Sequence, residues 1–316
     1  MLWLLWLRLG PIWRVTLFCI TFAFKIFAGL KIANCPLITK QALVSLAKLE
    51  DLQILDISEC KKLSGTSFSF LTKLTRLEEL YVGGYSRSPT NLRTWSTDKL
   101  TRLTYLCLSG SQFYPEIVVR GKERKKKEKE EEGEDRLKDG EESKNKKGEK
   151  EELPGLLHLN LSRCNFHPTS IDDRPCPLLS YQPQLLTLNL LGCYFPARFL
   201  IATLDNLPNL ESLSVGCGIL KNGDNPNLLD EDFFQRDVLP ASLRYLEISE
   251  AYRGAILSDM LTDEHLDDLA NEALASCPRF QTLVLKYHRK ITERGLNAVR
   301  SRVPTVICLH CVKIAS

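Results

Sequence analysis

Cysteine and histidine are the side chains here best suited to chemistry, and the chain holds 11 of the first and 5 of the second. Cys308, His310 and Cys311 crowd the last stretch, and Cys164, His167, Cys176 and Cys193 share one neighbourhood. Thiolates and imidazoles at tight spacing hold zinc, which asks for a C-x2-C pair and a second pair to match. Cys308 and Cys311 have that spacing, yet no clear second pair accompanies them, and on a strand they would point to opposite faces. Neither a metal nor any other cofactor is expected. No phosphate-cradling glycine loop and no G-x-S-x-G occurs. With no nucleophile or metal named by any motif, the sequence predicts a non-enzyme without catalytic residues.

Several of those cysteines belong to a larger pattern. In "LEDLQILDISEC", apolar residues stand eleven, eight, five and three places before Cys60. The same template fits the stretches ending at Cys35, Tyr85, Ser111, Cys164 and Cys193, with weaker copies ending at Gly218, Ala251, His288 and Ile314. Successive ends lie 25, 25, 26, 53, 29, 25, 33, 37 and 26 residues apart, so the period is 25 or 26 with insertions. A fixed period in that range, built on L-x-x-L-x-L-x-x-N/C, is the signature of a leucine-rich repeat solenoid.

The elements follow from the spacing. The residues five and three before each end, such as Leu55 and Ile57, alternate along a short strand and point inward. The chain then returns along a helix, as in "CPLITKQALVSLAKL", with Thr39 as N-cap and Ala42, Leu43 and Leu46 at helical spacing. "RKITERGLNAVRSRV" repeats the pattern, with Thr292 as cap and Leu296 and Val299 inward. One unit cannot bury its apolar side alone, so neighbours must stack. The expected fold class is α/β, a curved horseshoe with a parallel sheet on its concave face and helices outside.

The segments "NCPLITKQALVSL", "ECKKLSGTSFSFL", "LTDEHLDDLANEAL" and "RKITERGLNAV" resemble the cysteine-containing leucine-rich repeats of F-box substrate adaptors. That resemblance covers most of residues 24–316 and implies recognition of a substrate protein within a ubiquitin-ligase-type complex, although no segment resembles the F-box helices themselves. "ISECKKLSG" also resembles repeats of plant immune receptors.

Composition agrees with an ordinary soluble protein: 316 residues, 44% hydrophobic and 26% charged, with a net charge of +3 that is too small to imply nucleic acid. Residues 121–152 break the repeats. They hold 12 Lys or Arg and 13 Asp or Glu, with Leu137 as the only large apolar side chain, and predict a disordered charged insertion between repeats in 24–120 and 153–316. Residues 1–23 are apolar with Arg8 and Arg14, and no acid precedes Glu50. They read either as a cap or imperfect first repeats, or as a targeting or membrane-anchoring segment; the uncharged run from Val15 to Phe24 is short for a span of about 20 residues. Reduced, buried cysteines suit a cytoplasmic or nuclear protein, with membrane association as the alternative. "N-L-S" at Asn160 falls mid-strand, a poor place for glycosylation.

What remains is the surface that the template defines. Residues six, four and two before each end face outward from the inner sheet and form rows. Among them Asp56, Glu79, Tyr81, Tyr105, His158, Asn160, Asn189, Tyr245 and Glu247 are the candidate partner-binding residues. Tyrosine offers large contact area and a hydroxyl at modest entropic cost. The expected partner is a protein docked on the concave face, with ligase components and a substrate protein implied by the resemblance.

Overall fold

The computed structural model describes residues 28–38, 40–60, 63, 65–84, 100–113, 155–166, 182–193, 197–217, 231–234, 237–250 and 261–309. The apolar segment 1–23, the charged insertion 121–152, Thr39, and the side chain of Ala42 lie outside what is described.

Each copy of the template yields one strand. These are β1 (Gly29–Lys31), β2 (Ile54–Asp56), β3 (Glu79–Tyr81), β4 (Tyr105–Cys107), β6 (His158–Asn160), β8 (Thr187–Leu190), β9 (Ser212–Cys217), β10 (Tyr245–Glu250), β11 (Thr282–Lys286) and β12 (Thr305–Leu309). They form one ten-stranded sheet whose order follows the chain, and every described pairing is parallel. The fold is an α/β repeat array.

Alternation puts one leucine per short strand inward. Leu30, Leu55, Leu80, Leu106, Leu159, Leu188, Leu213, Leu246, Leu283 and Val306 stand in register across the whole sheet. Those from Leu55 to Leu283 are at most 2% exposed. The residue eight before each unit end plugs the space beneath: Leu52, Leu77, Leu103, Leu156, Leu185, Leu210 and Leu243 are all 0% exposed. Each such side chain contributes about 1.5–3 kcal/mol of burial. Gln182 occupies a position that is leucine in other units, and its side-chain oxygen accepts the Leu156 amide at 3.3 Å.

A left-handed turn ends the strand in six units, at Asn34, Glu59, Gly110, Arg163, Gly192 and Tyr287. The next residue is buried or half-buried and, in five of these six units, bonds to a carbonyl. Cys60 Sγ donates to the Ile32 carbonyl at 3.4 Å, Cys164 to Leu108 at 3.1 Å, and Cys193 to Leu161 at 2.9 Å. His288 Nε2 lies 2.8 Å from the Ile248 carbonyl, which can only accept, so that ring nitrogen carries the proton. Cys35 turns to its own neighbour, the Ala33 carbonyl, at 3.7 Å.

The returns differ from the uniform helices expected. Helices α1 (Lys40–Leu46), α2 (Ala197–Leu204), α3 (Asp263–Asn271) and α4 (Glu293–Arg300) fit the expectation, with Leu43, Leu46, Leu296 and Val299 buried and Thr292 accepting the Arg294 amide. After β2 the return is a 3-10 helix, Gly65–Lys73. After β4 and β6 the described residues form β5 (Gln112–Phe113) and β7 (Asn165–Phe166), which pair with each other.

The last copy is also corrected. The template places Leu309 and Cys311 inward, but β11 pairs with β12 so that Val306 and Cys308 align with Leu283 and Leu285, a shift of three residues. Val303, only 4% exposed, takes the plugging position directly after α4, and Leu309 is left 45% exposed. Cys308 is thereby inward, while His310 and Cys311 lie outside the described residues.

Candidate functional site

Cross-strand register assembles the predicted residues into two adjacent rows on the face opposite the leucines. One row carries Ile54, Glu79, Tyr105, His158, Thr187, Ser212, Tyr245 and Thr282. The other carries Lys31, Asp56, Tyr81, Cys107, Asn160, Asn189, Ser214, Glu247 and Val284. All nine candidate residues lie on this face. Six of them gather into two clusters.

In the first, the Tyr81 and Tyr105 rings lie 4.8 Å apart between centroids at 32°, and Tyr105 and His158 lie 6.1 Å apart at 38°. Diagonal neighbours on a sheet are within reach of aromatic side chains, and tilted rings at these separations attract. The Tyr81 hydroxyl donates to Glu79 Oε2 at 3.0 Å, and Lys31 Nζ stands 5.9 Å from the Tyr81 ring centre. His158 Nδ1 is 2.9 Å from Thr187 Oγ1, which holds the imidazole plane. Burial raises the Tyr81 hydroxyl well above its ordinary pKa, and its bond to Glu79 raises it further. Burial likewise raises Tyr105 and Cys107. All three hold their protons, so this cluster presents hydrogen-bond donors and ring faces rather than activated nucleophiles.

The second cluster centres on Glu247. Its carboxylate is nearly buried and accepts from Lys286 Nζ at 2.6 Å, Ser249 Oγ at 2.9 Å and the Tyr245 hydroxyl at 3.1 Å. Burial pushes the carboxyl upward, but the bonds from Lys286, Ser249 and Tyr245 outweigh it and hold the group below its ordinary value of 4.5. Burial and the neighbouring carboxylate push Tyr245 up to about 12. This cluster is closed on itself.

Three candidates have a structural task. Asn160 and Asn189 turn their side-chain oxygens onto the amides of Ser162 at 2.9 Å and Leu191 at 3.0 Å, and Asp56 Oδ1 takes the amide and hydroxyl of Ser58 at 3.0 and 2.5 Å. These Asx bonds close the strand ends. Lys31 and Lys286 were not among the candidates, although both touch them; their outward position in the template was the available signal.

Among the described residues no group of three or more His, Cys, Asp or Glu side chains is placed to hold a metal, and no helix is long and apolar enough to cross a membrane. His167 and Cys176 lie outside the described residues.

No protein-family model matches the chain, and no curated protein matches it. Solved structures do. A protein from Bacteroides fragilis is 20% identical at a TM-score of 0.29, with 51% of this chain and 49% of that one covered. The functional domain of InlJ from Listeria monocytogenes, which includes a cysteine ladder, is 14% identical at 0.30, with 92% and 55% covered. The complex of Rad7 and Elc1 in yeast gives 13% identity at 0.30, with 87% and 80% covered. The chain therefore spans about half the length of the first two. Likenesses at these scores carry no weight on function.

Proposed function

We propose that the chain is a leucine-rich repeat solenoid whose concave face docks a protein partner, as the recognition part of a ubiquitin-ligase-type complex in the cytoplasm or nucleus. One observation carries the docking part: Glu79, Tyr81, Tyr105 and His158 form a continuous half-buried strip of rings and hydrogen-bonding groups on the open side of the sheet. Strips of this kind supply rigid contact area with polar tips, the composition of binding hot spots. The ligase part is carried by the resemblance of the cysteine-ending repeats to those of F-box adaptors.

Affinity capture from cell lysate, with mass spectrometry of the bound proteins, tests both parts. The wild-type chain is expected to retain ligase components and a substrate, and Tyr81→Ala, Tyr105→Ala and Tyr245→Ala together are expected to lose the substrate. Capture unchanged in the triple variant would remove the concave face from the proposal. A bound set without ligase components would leave a binding module of another kind. The composition of residues 1–23 favours a second reading, a scaffold held at a membrane or organelle, and fractionation with and without those residues separates the two.

A further inference from the structure

We propose that the tyrosine pair and the two carboxylates beside it form a receptor for an arginine side chain on a basic segment of the protein partner. This deepens the concave-face reading and rests on it. The two clusters of the face differ in electrostatic closure. Glu247 already has Lys286 at 2.6 Å. Among the described residues Glu79 accepts only from the Tyr81 hydroxyl and Asp56 only from Ser58, both uncharged donors, and neither forms an ion pair. A carboxylate has about four acceptor sites, so both retain capacity for a cation.

The rings point to the same ligand. Lys31 stands 5.9 Å over the Tyr81 ring, at the outer range of cation–π attraction, so one face of the strip already takes a cation. The Tyr105 ring lies between Tyr81 at 4.8 Å and His158 at 6.1 Å, with Glu79 next to it in cross-strand register and no cation on it among the described residues. A guanidinium laid across the outer side of the ring row can fork onto the Glu79 carboxylate through two N–H groups, a planar bidentate contact that a lysine ammonium cannot reproduce. The two carboxylates also disfavour phosphate, which sets nucleic acid and anionic lipid aside as occupants. Lys31 is the register neighbour of Asp56, so the strip carries two carboxylates against one lysine and keeps a net negative charge on a chain whose net charge is +3.

Selection of a displayed random-peptide library on the full chain tests the inference. Selected peptides are expected to be enriched in arginine. Replacing that arginine by citrulline, which keeps the shape and removes the charge, should weaken binding about tenfold, and the paired variant Asp56→Asn with Glu79→Gln should do the same. Both substitutions are nearly isosteric at half-buried positions, and circular dichroism confirms the fold. No peptide selected, no arginine enrichment, or equal binding of the arginine and citrulline forms would overturn the proposal. Peptides that lack arginine but lose binding in Tyr81→Ala with Tyr105→Ala would overturn it and leave the concave-face reading standing. Peptides insensitive to both pairs of variants would sink the two together.

Discussion

Ser111 stands where Cys60, Cys164 and Cys193 stand in other units, directly after a left-handed turn. Those thiols, and the imidazole of His288, each donate to a carbonyl of the preceding unit. The Ser111 hydroxyl is buried and lacks a hydrogen-bond partner among the described residues. A sulfur stands farther from Cβ than an oxygen and in Cys60, Cys164 and Cys193 reaches such a carbonyl, whereas an unsatisfied buried hydroxyl costs about 1–3 kcal/mol. Ser111→Cys is therefore expected to stabilise the protein by about 1 kcal/mol, read as a higher urea midpoint at unchanged slope. An unchanged or lower midpoint would show that the hydroxyl is satisfied in solution. The sequence template marks this position as small and buried, but the acceptor belongs to another unit and cannot be read from a single repeat.

At the scale of elements, α3 and α4 show how successive returns are locked. The Asp263 carboxylate, at the start of α3, accepts the amide of Thr292 at 2.8 Å and its hydroxyl at 2.5 Å, while Thr292 caps α4. The two helices approach so closely that a Cβ on Gly295 would sit 2.9 Å from the Asp263 Cα. Propensity alone favours alanine over glycine within a helix by about 1 kcal/mol. Gly295→Ala is nevertheless expected to destabilise by about 1–2 kcal/mol, because backbone must move to admit the methyl. Thermal or urea unfolding decides between the signs, and a stabilised variant would mean the helices can part without loss. The glycine of this helix is visible in "ERGLNAV", whereas the reason for it is a contact 32 residues away.

Over the whole molecule the buried thiols, at unit ends (Cys60, Cys193) and at one unit start (Cys277), form a store of suppressed ionisation. Burial pushes the Cys60 and Cys277 thiols from 9.0 up to about 11, and Cys193 well above its ordinary value. In the unfolded chain these thiols ionise near their ordinary value, while in the fold they keep their protons. The folded state thus binds more protons above pH 9, and stability falls as pH rises from there through about 11. Urea midpoints are expected to be flat up to about pH 8 and to decline beyond about pH 9, with a shallower decline in Cys60→Ser, whose hydroxyl does not titrate. Equal slopes for the two proteins would remove Cys60 from the account. The same burial predicts slow reaction of these cysteines with thiol reagents in the native state.

The alternation of apolar residues and the repeat period determined which residues line the core and which stand in the outward rows, because both follow from strand geometry within one unit. Leu55, Leu80 and Leu106 inward, and Glu79, Tyr81 and Tyr105 outward, are legible from spacing alone. Only the tertiary structure decided which outward residues touch. Units separated by 25 to 53 residues meet through register, and register depends on how each return is spanned. That is why Tyr81 meets Tyr105, why Glu247 is paired with Lys286 while Glu79 has no ion pair among the described residues, and why β12 slides three residues from its template.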